Sequence, residues 1–320
     1  MHKLLLNTLT LKFTLEPNGP ILIKSGKEDG ANPTLPNMNF VRATHPKSGA
    51  STIYLPGASL KGVIRSHAER IIRTLLGEQG CCDPLNKQSA CGDKSEFKQR
   101  GDDALPSHKV YRTICPACQM FGHTVMASRF LIPDAYPTNA IDVLPIRQMV
   151  AIDRRSGGSV NTFTMEVCTE GQFEGRIIVR NFERWQVGLL ALVLRDLREG
   201  RLSIGFGKSR GLGQVKLTFS ELALSYTGLP TDEPAESYVY GVGEILSTST
   251  NAARKGMIAD YGFSVVDPPP TSAELVPASV ERDWLRTEVI LDQDETIFAA
   301  LWNQVGSWAQ YVEARQGAVQ

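Results

Sequence analysis

The stretch Leu55-Pro56-Gly57-Ala58-Ser59-Leu60-Lys61-Gly62-Val63-Ile64-Arg65 decides how the rest of this chain is read. It predicts the end of a strand, a tight Pro-Gly turn, and a helix capped by Ser59. A capping serine leaves first-turn N–H groups facing outward, and the helix dipole adds partial positive charge there. Such an end suits a phosphate group. Lys61 and Arg65 are four residues apart and share one helix face. Leu60, Val63, Ile64, Ala68, Ile71, Ile72 and Leu75 form the opposite, apolar stripe. The expectation is a buried helix whose start and one flank hold a nucleic-acid backbone. An ordinary capped amphipathic helix would show the same pattern, so a second element is needed to decide.

That element is Ile204-Gly205-Phe206-Gly207-Lys208-Ser209-Arg210-Gly211-Leu212-Gly213. Gly207-Lys208-Ser209 invites comparison with a P-loop, but the glycine required five positions earlier is Leu202, and a strand follows instead of a helix. Four glycines around Lys208, Ser209 and Arg210 instead suit a loop pressed against a phosphate backbone.

The 320 residues balance to zero net charge, but the charge is segregated. Residues 231–300 hold 13 acidic and 4 basic side chains, so residues 1–230 carry about +9. A basic body over residues 1–225 with an acidic extension over 226–320 implies an anionic partner for the body. No apolar run is long enough to span a bilayer, and the start lacks the apolar core of a signal peptide. A cytoplasmic chain with reduced thiols is expected.

Residues 3–15 alternate through Leu9, Leu11, Phe13 and Leu15 as a half-buried strand does. A long loop over residues 25–42 follows, with Lys27 and Arg42 able to meet phosphates. Five of the six cysteines gather between 78 and 125. Cys115 and Cys118 form a C-x-x-C knuckle, and Cys82 and Cys91 an upstream pair, a set suited to structural Zn²⁺. Cys81 in place of Cys82, or His108 in place of one cysteine, stays open; a redox role lacks the thioredoxin-like context it needs. Residues 147–166 predict a hairpin with a basic tip at Arg154 and Arg155. A helix is expected from about Arg184 to Glu199, and a last one from about Glu295 to Arg315 that packs on its own chain.

The order strand, helix, inserted strands, helix, glycine-rich loop, strand fits an α+β ferredoxin-like, RRM-like core. The insertions would be a zinc knuckle over about 78–140 and a hairpin over 147–170. In this order the motifs at 55–65, Cys115-Pro116-Ala117-Cys118 with Phe121-Gly122, Ile152-Asp153-Arg154 and 205–213 resemble the RAMP superfamily. The likeness is to backbone subunits of type III (III-D-like) CRISPR effector complexes, which serve in antiviral defence, and it covers most of residues 4–220.

The resemblance implies a subunit that stacks with other RAMP subunits and holds guide CRISPR RNA by its phosphates through Ser59, Lys61, Arg65, Arg42, Lys208 and Arg210, with Gly207 and Ser209 in the same loop. It implies a thumb-like hairpin at about 153–166 that kinks the guide–target RNA duplex. Some relatives also cut target RNA with an aspartate and Mg²⁺. That aspartate's place falls on Asn37, an amide that neither takes a proton nor binds Mg²⁺ as a carboxylate does. The expectation is a subunit that binds without cutting, with Asp29 as the fallback catalytic residue of a metal-dependent endoribonuclease. A third reading, metal-independent cleavage through His45 or His67, has the least support.

Overall fold

The computed structural model describes residues 3–26, 36, 38–97, 104–141, 143–228, 238–265 and 278–317. Leu9, Leu11, Phe13 and Leu15 lie buried along one face of β1 (Asn7–Pro17). β1 is central in a seven-stranded sheet whose pairs are all antiparallel. On one side of β1 stand β9 (Val215–Thr227), β11 (Arg286–Leu291) and β10 (Ser279–Arg282). On the other stands β8 (Phe173–Arg180), which pairs with both β4 (Phe130–Leu131) and β5 (Tyr136–Pro137).

Two helices bury the apolar face of this sheet. Leu60, Val63 and Ile64 of α1 (Gly57–Leu76) and Leu194 and Leu197 of α4 (Arg184–Arg198) converge on Phe13, Leu15, Ile177 and Leu217. Each fully buried leucine or isoleucine contributes about 1.5–3 kcal/mol by leaving water. α4 joins β8 to β9, so β1 lies antiparallel between two parallel strands. The opposite sheet face is polar and carries an exposed Lys12–Glu221 ion pair of 2.8 Å.

The start of α1 differs from the sequence expectation. The helix begins at Gly57, Pro56 is its N-cap, and Ser59 lies inside the first turn. Asp134 Oδ1 accepts a hydrogen bond from the Gly57 N–H at 2.8 Å. A carboxylate of the chain itself therefore occupies the helix end that the sequence offered to phosphate. Pro56 carries no side-chain acceptor, which is why the cap comes from 77 residues away.

Short helices α2 (Ser107–Thr113) and α3 (Pro116–Phe121) hold the cysteine-rich insertion. β6 (Ile146–Ile152) and β7 (Ser159–Glu166) form a hairpin outside the main sheet, as do β2 (Arg42–Thr44) and β3 (Ser51–Ile53). The acidic extension contributes α5 (Val242–Ser247), α6 (Ala252–Tyr261), β10, β11, α7 (Asp294–Trp302) and α8 (Val305–Gly317). It does not stand apart: β11 pairs with β9, and α8 lies on α4, with Trp185 stacked on Tyr311 at 4.1 Å. The expected single terminal helix is thus two helices. The chain turns at Asn303, and buried Gln304 accepts a hydrogen bond from Arg184 Nε at 3.0 Å.

Candidate nucleic-acid interface

Ser59, Ser66 and Arg70 fall seven and then four residues apart, so they form one outward stripe on α1. The stripe lines a groove of about 430 Å³ with His67, Arg201 and Lys208. The exposed Gly62, with nothing near its missing side chain, keeps the groove wall low. The two elements singled out in the sequence do meet here, because Ser59 comes from one and Lys208 from the other. Burial, and then the nearby Arg70 charge, lower the Lys208 ammonium from its ordinary value. Neither cation has a carboxylate partner among the described residues. Arg201, 63% exposed, pairs with Glu199 at 2.8 Å.

The glycine-rich loop takes its shape from left-handed backbone. Gly207 and Gly211 flank a single 3₁₀ turn over Lys208–Arg210, both with φ above +70°. At Gly213 a Cβ would come within 2.1 Å of the Ile204 carbonyl oxygen, so no larger residue fits that conformation. The turn leaves Lys208, Ser209 and Arg210 exposed. The Arg210 guanidinium lies 5.7 Å from the Phe163 ring and connects the loop to the hairpin.

Three expected phosphate ligands are committed elsewhere. Lys61 Nζ donates to Ser128 Oγ at 2.9 Å and to the Phe130 carbonyl at 3.2 Å. Arg65 donates to Glu69, to the Gly122 carbonyl and toward Cys118 Sγ at 3.6 Å. Arg42 makes a two-pronged ion pair with Glu166, at 2.8 and 2.9 Å. The reason is the same in each case: these side chains face the insertion or the hairpin base, where carbonyls, thiols and a carboxylate need donors. Of the three cations that line the groove, Lys208 was singled out in the sequence, and Arg70 and Arg201 were missed. Extending the helical period from Ser59 was the signal that would have found Arg70.

The hairpin tip is as basic as expected. Asp153 Oδ1 accepts from the Arg155 and Ser156 N–H groups, and these hydrogen bonds lower its carboxyl from the ordinary value. Arg154 and Arg155 extend from that turn without ion pairs among the described residues. Val150, Ile152 and Val160 are exposed behind them, from 49 to 66%.

Cys82, Cys91, Cys115 and Cys118 come together, with all four sulfurs within 4.8 Å of one another. Cys82–Cys118 and Cys82–Cys115 separations are 3.6 and 3.7 Å. Four sulfurs about 2.3 Å from a tetrahedral Zn²⁺ would stand about 3.8 Å apart, so the set fits a metal ion such as zinc. The Cys115 N–H donates to Cys91 Sγ, and the Arg65 guanidinium supplies positive charge beside the thiols. Cys81 lies outside the set, and His108 faces Tyr261 instead.

Asp29 and Asn37, together with Lys27, lie outside the described residues. His67 Nε2 is held by Asp196 at 2.7 Å in the groove wall, and His45 Nδ1 accepts from the Lys47 and Ser48 amides. Each imidazole therefore already serves the fold.

A family model of the RAMP superfamily matches residues 14–216, and the chain belongs to that superfamily. No curated protein matches it. Membership makes this a CRISPR-associated, RNA-binding class of subunit. Among the described residues no helix is long and apolar enough to cross a membrane.

Proposed function

We propose that this chain is a backbone subunit of a type III CRISPR effector complex that holds guide RNA by its phosphates. The observation that carries this reading is the groove between α1 and the glycine-rich loop. There Arg70 and Lys208 are held close together, with no carboxylate among the described residues to balance them, beside the hydroxyls of Ser59, Ser66 and Ser203. Like charges brought together cost energy that an anionic backbone returns. Such contacts are blind to sequence and leave specificity to base pairing.

The strand order around β1 and the two covering helices support a ferredoxin-like core. On this reading the β6–β7 hairpin acts as the thumb. Arg154 and Arg155 meet backbone phosphates of the guide–target duplex, and Val150, Ile152 and Val160 form the apolar wedge that unstacks it. The four cysteines bind structural Zn²⁺ and brace the insertion against α1. Asn37 lacks the carboxylate that Mg²⁺-assisted cleavage takes, so the subunit binds target RNA without cutting it. Introducing Asn37→Asp into the assembled complex should then create a new cut at this subunit's position.

Ultraviolet crosslinking of the purified chain to a labelled guide-length RNA tests the interface. Crosslinked peptides should come from residues 59–70, 201–213 and 150–160. Crosslinks confined to the acidic extension would contradict the assignment.

A further inference from the structure

A second cavity, of about 500 Å³, lies where α2, the start of α4, α6 and α8 meet. Its size is that of a small-molecule site. Tyr111, Trp185, Tyr261 and Tyr311 stand in a lining that is otherwise mostly polar, and their rings are fixed. Tyr311 stacks on Trp185, and Tyr261 stacks on Phe263 at 5.1 Å while lying 5.8 Å from Tyr111. Tyr311 OH donates to Gln119 Oε1 at 3.1 Å, and Gln119 Nε2 donates to the Tyr111 carbonyl at 2.8 Å.

The acids in the lining are already spent. Glu183 accepts from Tyr111 OH at 2.7 Å, and burial pushes its carboxyl above the usual range. Glu244 accepts from Tyr238 OH and the Gly241 N–H, both at 2.6 Å. The cations at the mouth are not spent. Arg112 makes no hydrogen bond or ion pair among the described residues, and Arg315 meets only the Tyr311 ring, at 4.9 Å. Aromatic rings beside two guanidinium groups that have no carboxylate partner among the described residues suit a ligand with a planar ring and an anionic end.

We infer that this cavity binds a nucleoside monophosphate unit, with the base against the aromatic rings and the phosphate on Arg112 and Arg315. The unit can be a free nucleotide or the phosphorylated terminal nucleotide of a bound RNA. The inference is independent of the groove, which shares none of these residues.

Calorimetric titration of the full chain separates the possibilities. The probes are AMP, adenosine, ribose 5-phosphate, inorganic phosphate, and short RNAs with and without a 5′-phosphate. AMP or the 5′-phosphorylated RNA should bind saturably, with adenosine and ribose 5-phosphate roughly tenfold weaker or more. Saturation by AMP identifies a free nucleotide, and saturation only by the phosphorylated RNA identifies its terminus. Arg112→Gln with Arg315→Gln should weaken the bound probe about tenfold, with near-ultraviolet circular dichroism of the aromatic rings unchanged. Arg70→Gln with Lys208→Gln should leave AMP binding intact. Absence of saturable binding, phosphate binding as well as AMP, or indifference to Arg112→Gln with Arg315→Gln would each overturn the inference.

Discussion

Lys208 shows how a single side chain reports on the groove. Burial and the Arg70 charge lower its ammonium, and an RNA phosphate beside it would raise it again. Only the charged form attracts phosphate. As pH rises through the lowered value the charge is lost, so RNA affinity should begin to fall at lower pH than an ordinary lysine would give. Lys208→Arg should remove that alkaline loss, which fluorescence anisotropy from neutral pH to about 10 would reveal. Asp134 offers a second test. Asp134→Asn removes the negative charge from the start of α1 and should cost about 1 kcal/mol in urea unfolding. In the sequence Ser59 and Lys208 group with Lys61 and Arg65; in the fold the first two line one groove, whereas the last two face the insertion. Lys61 and Arg65 share a helical face as predicted, yet which neighbour that face meets depends on where residues 118–130 pack. Helical spacing alone does not contain that information.

At the scale of elements, the cysteine insertion was the most legible part. Thiol spacing constrains the chain strongly, and the choice of Cys82 over Cys81 was the detail left to packing. The purified chain should carry one zinc per molecule. Stripping it with a chelator should lower the melting temperature by several degrees and open residues 77–129 to proteases. The hairpin depends on a contact between elements distant in sequence. Burial, the largest single influence, would raise the Glu166 carboxyl, but the Arg42 hydrogen bonds, the Phe40 N–H and the Arg42 charge together outweigh it and the net shift is downward. A lowered folded value means stabilisation present above the usual glutamate range and lost as pH falls through the folded value. Glu166→Gln should therefore speed amide exchange across β6 and β7 at neutral pH and flatten the acid dependence of that exchange. Residues 147–166 read as a hairpin around their basic tip at Arg154 and Arg155, but nothing local marked Arg42 as its anchor.

Over the whole molecule, charge segregation separated the acidic tail from the basic body but not their joint packing. Pairing of β11 with β9 and stacking of Tyr311 on Trp185 are long-range events that no short window of sequence encodes. At Gly188 a Cβ would stand 2.2 Å from the Gln304 carbonyl oxygen, so α4 and α8 approach closely there. Gly188→Ala should force them apart and destabilise the chain by about 1–3 kcal/mol, measured by urea unfolding.

The central claim is that the groove between α1 and the glycine-rich loop holds RNA by charge. The most direct test is the salt dependence of single-stranded RNA binding by the natural chain and by Arg70→Ala with Lys208→Ala. Losing two phosphate contacts should weaken binding equally for unrelated RNA sequences. It should also flatten the plot of log K against log salt by about 1.4. Lys61→Ala should leave that slope unchanged. An unchanged slope in the Arg70 and Lys208 variant, or a loss confined to Lys61→Ala, would place the RNA elsewhere and contradict the account.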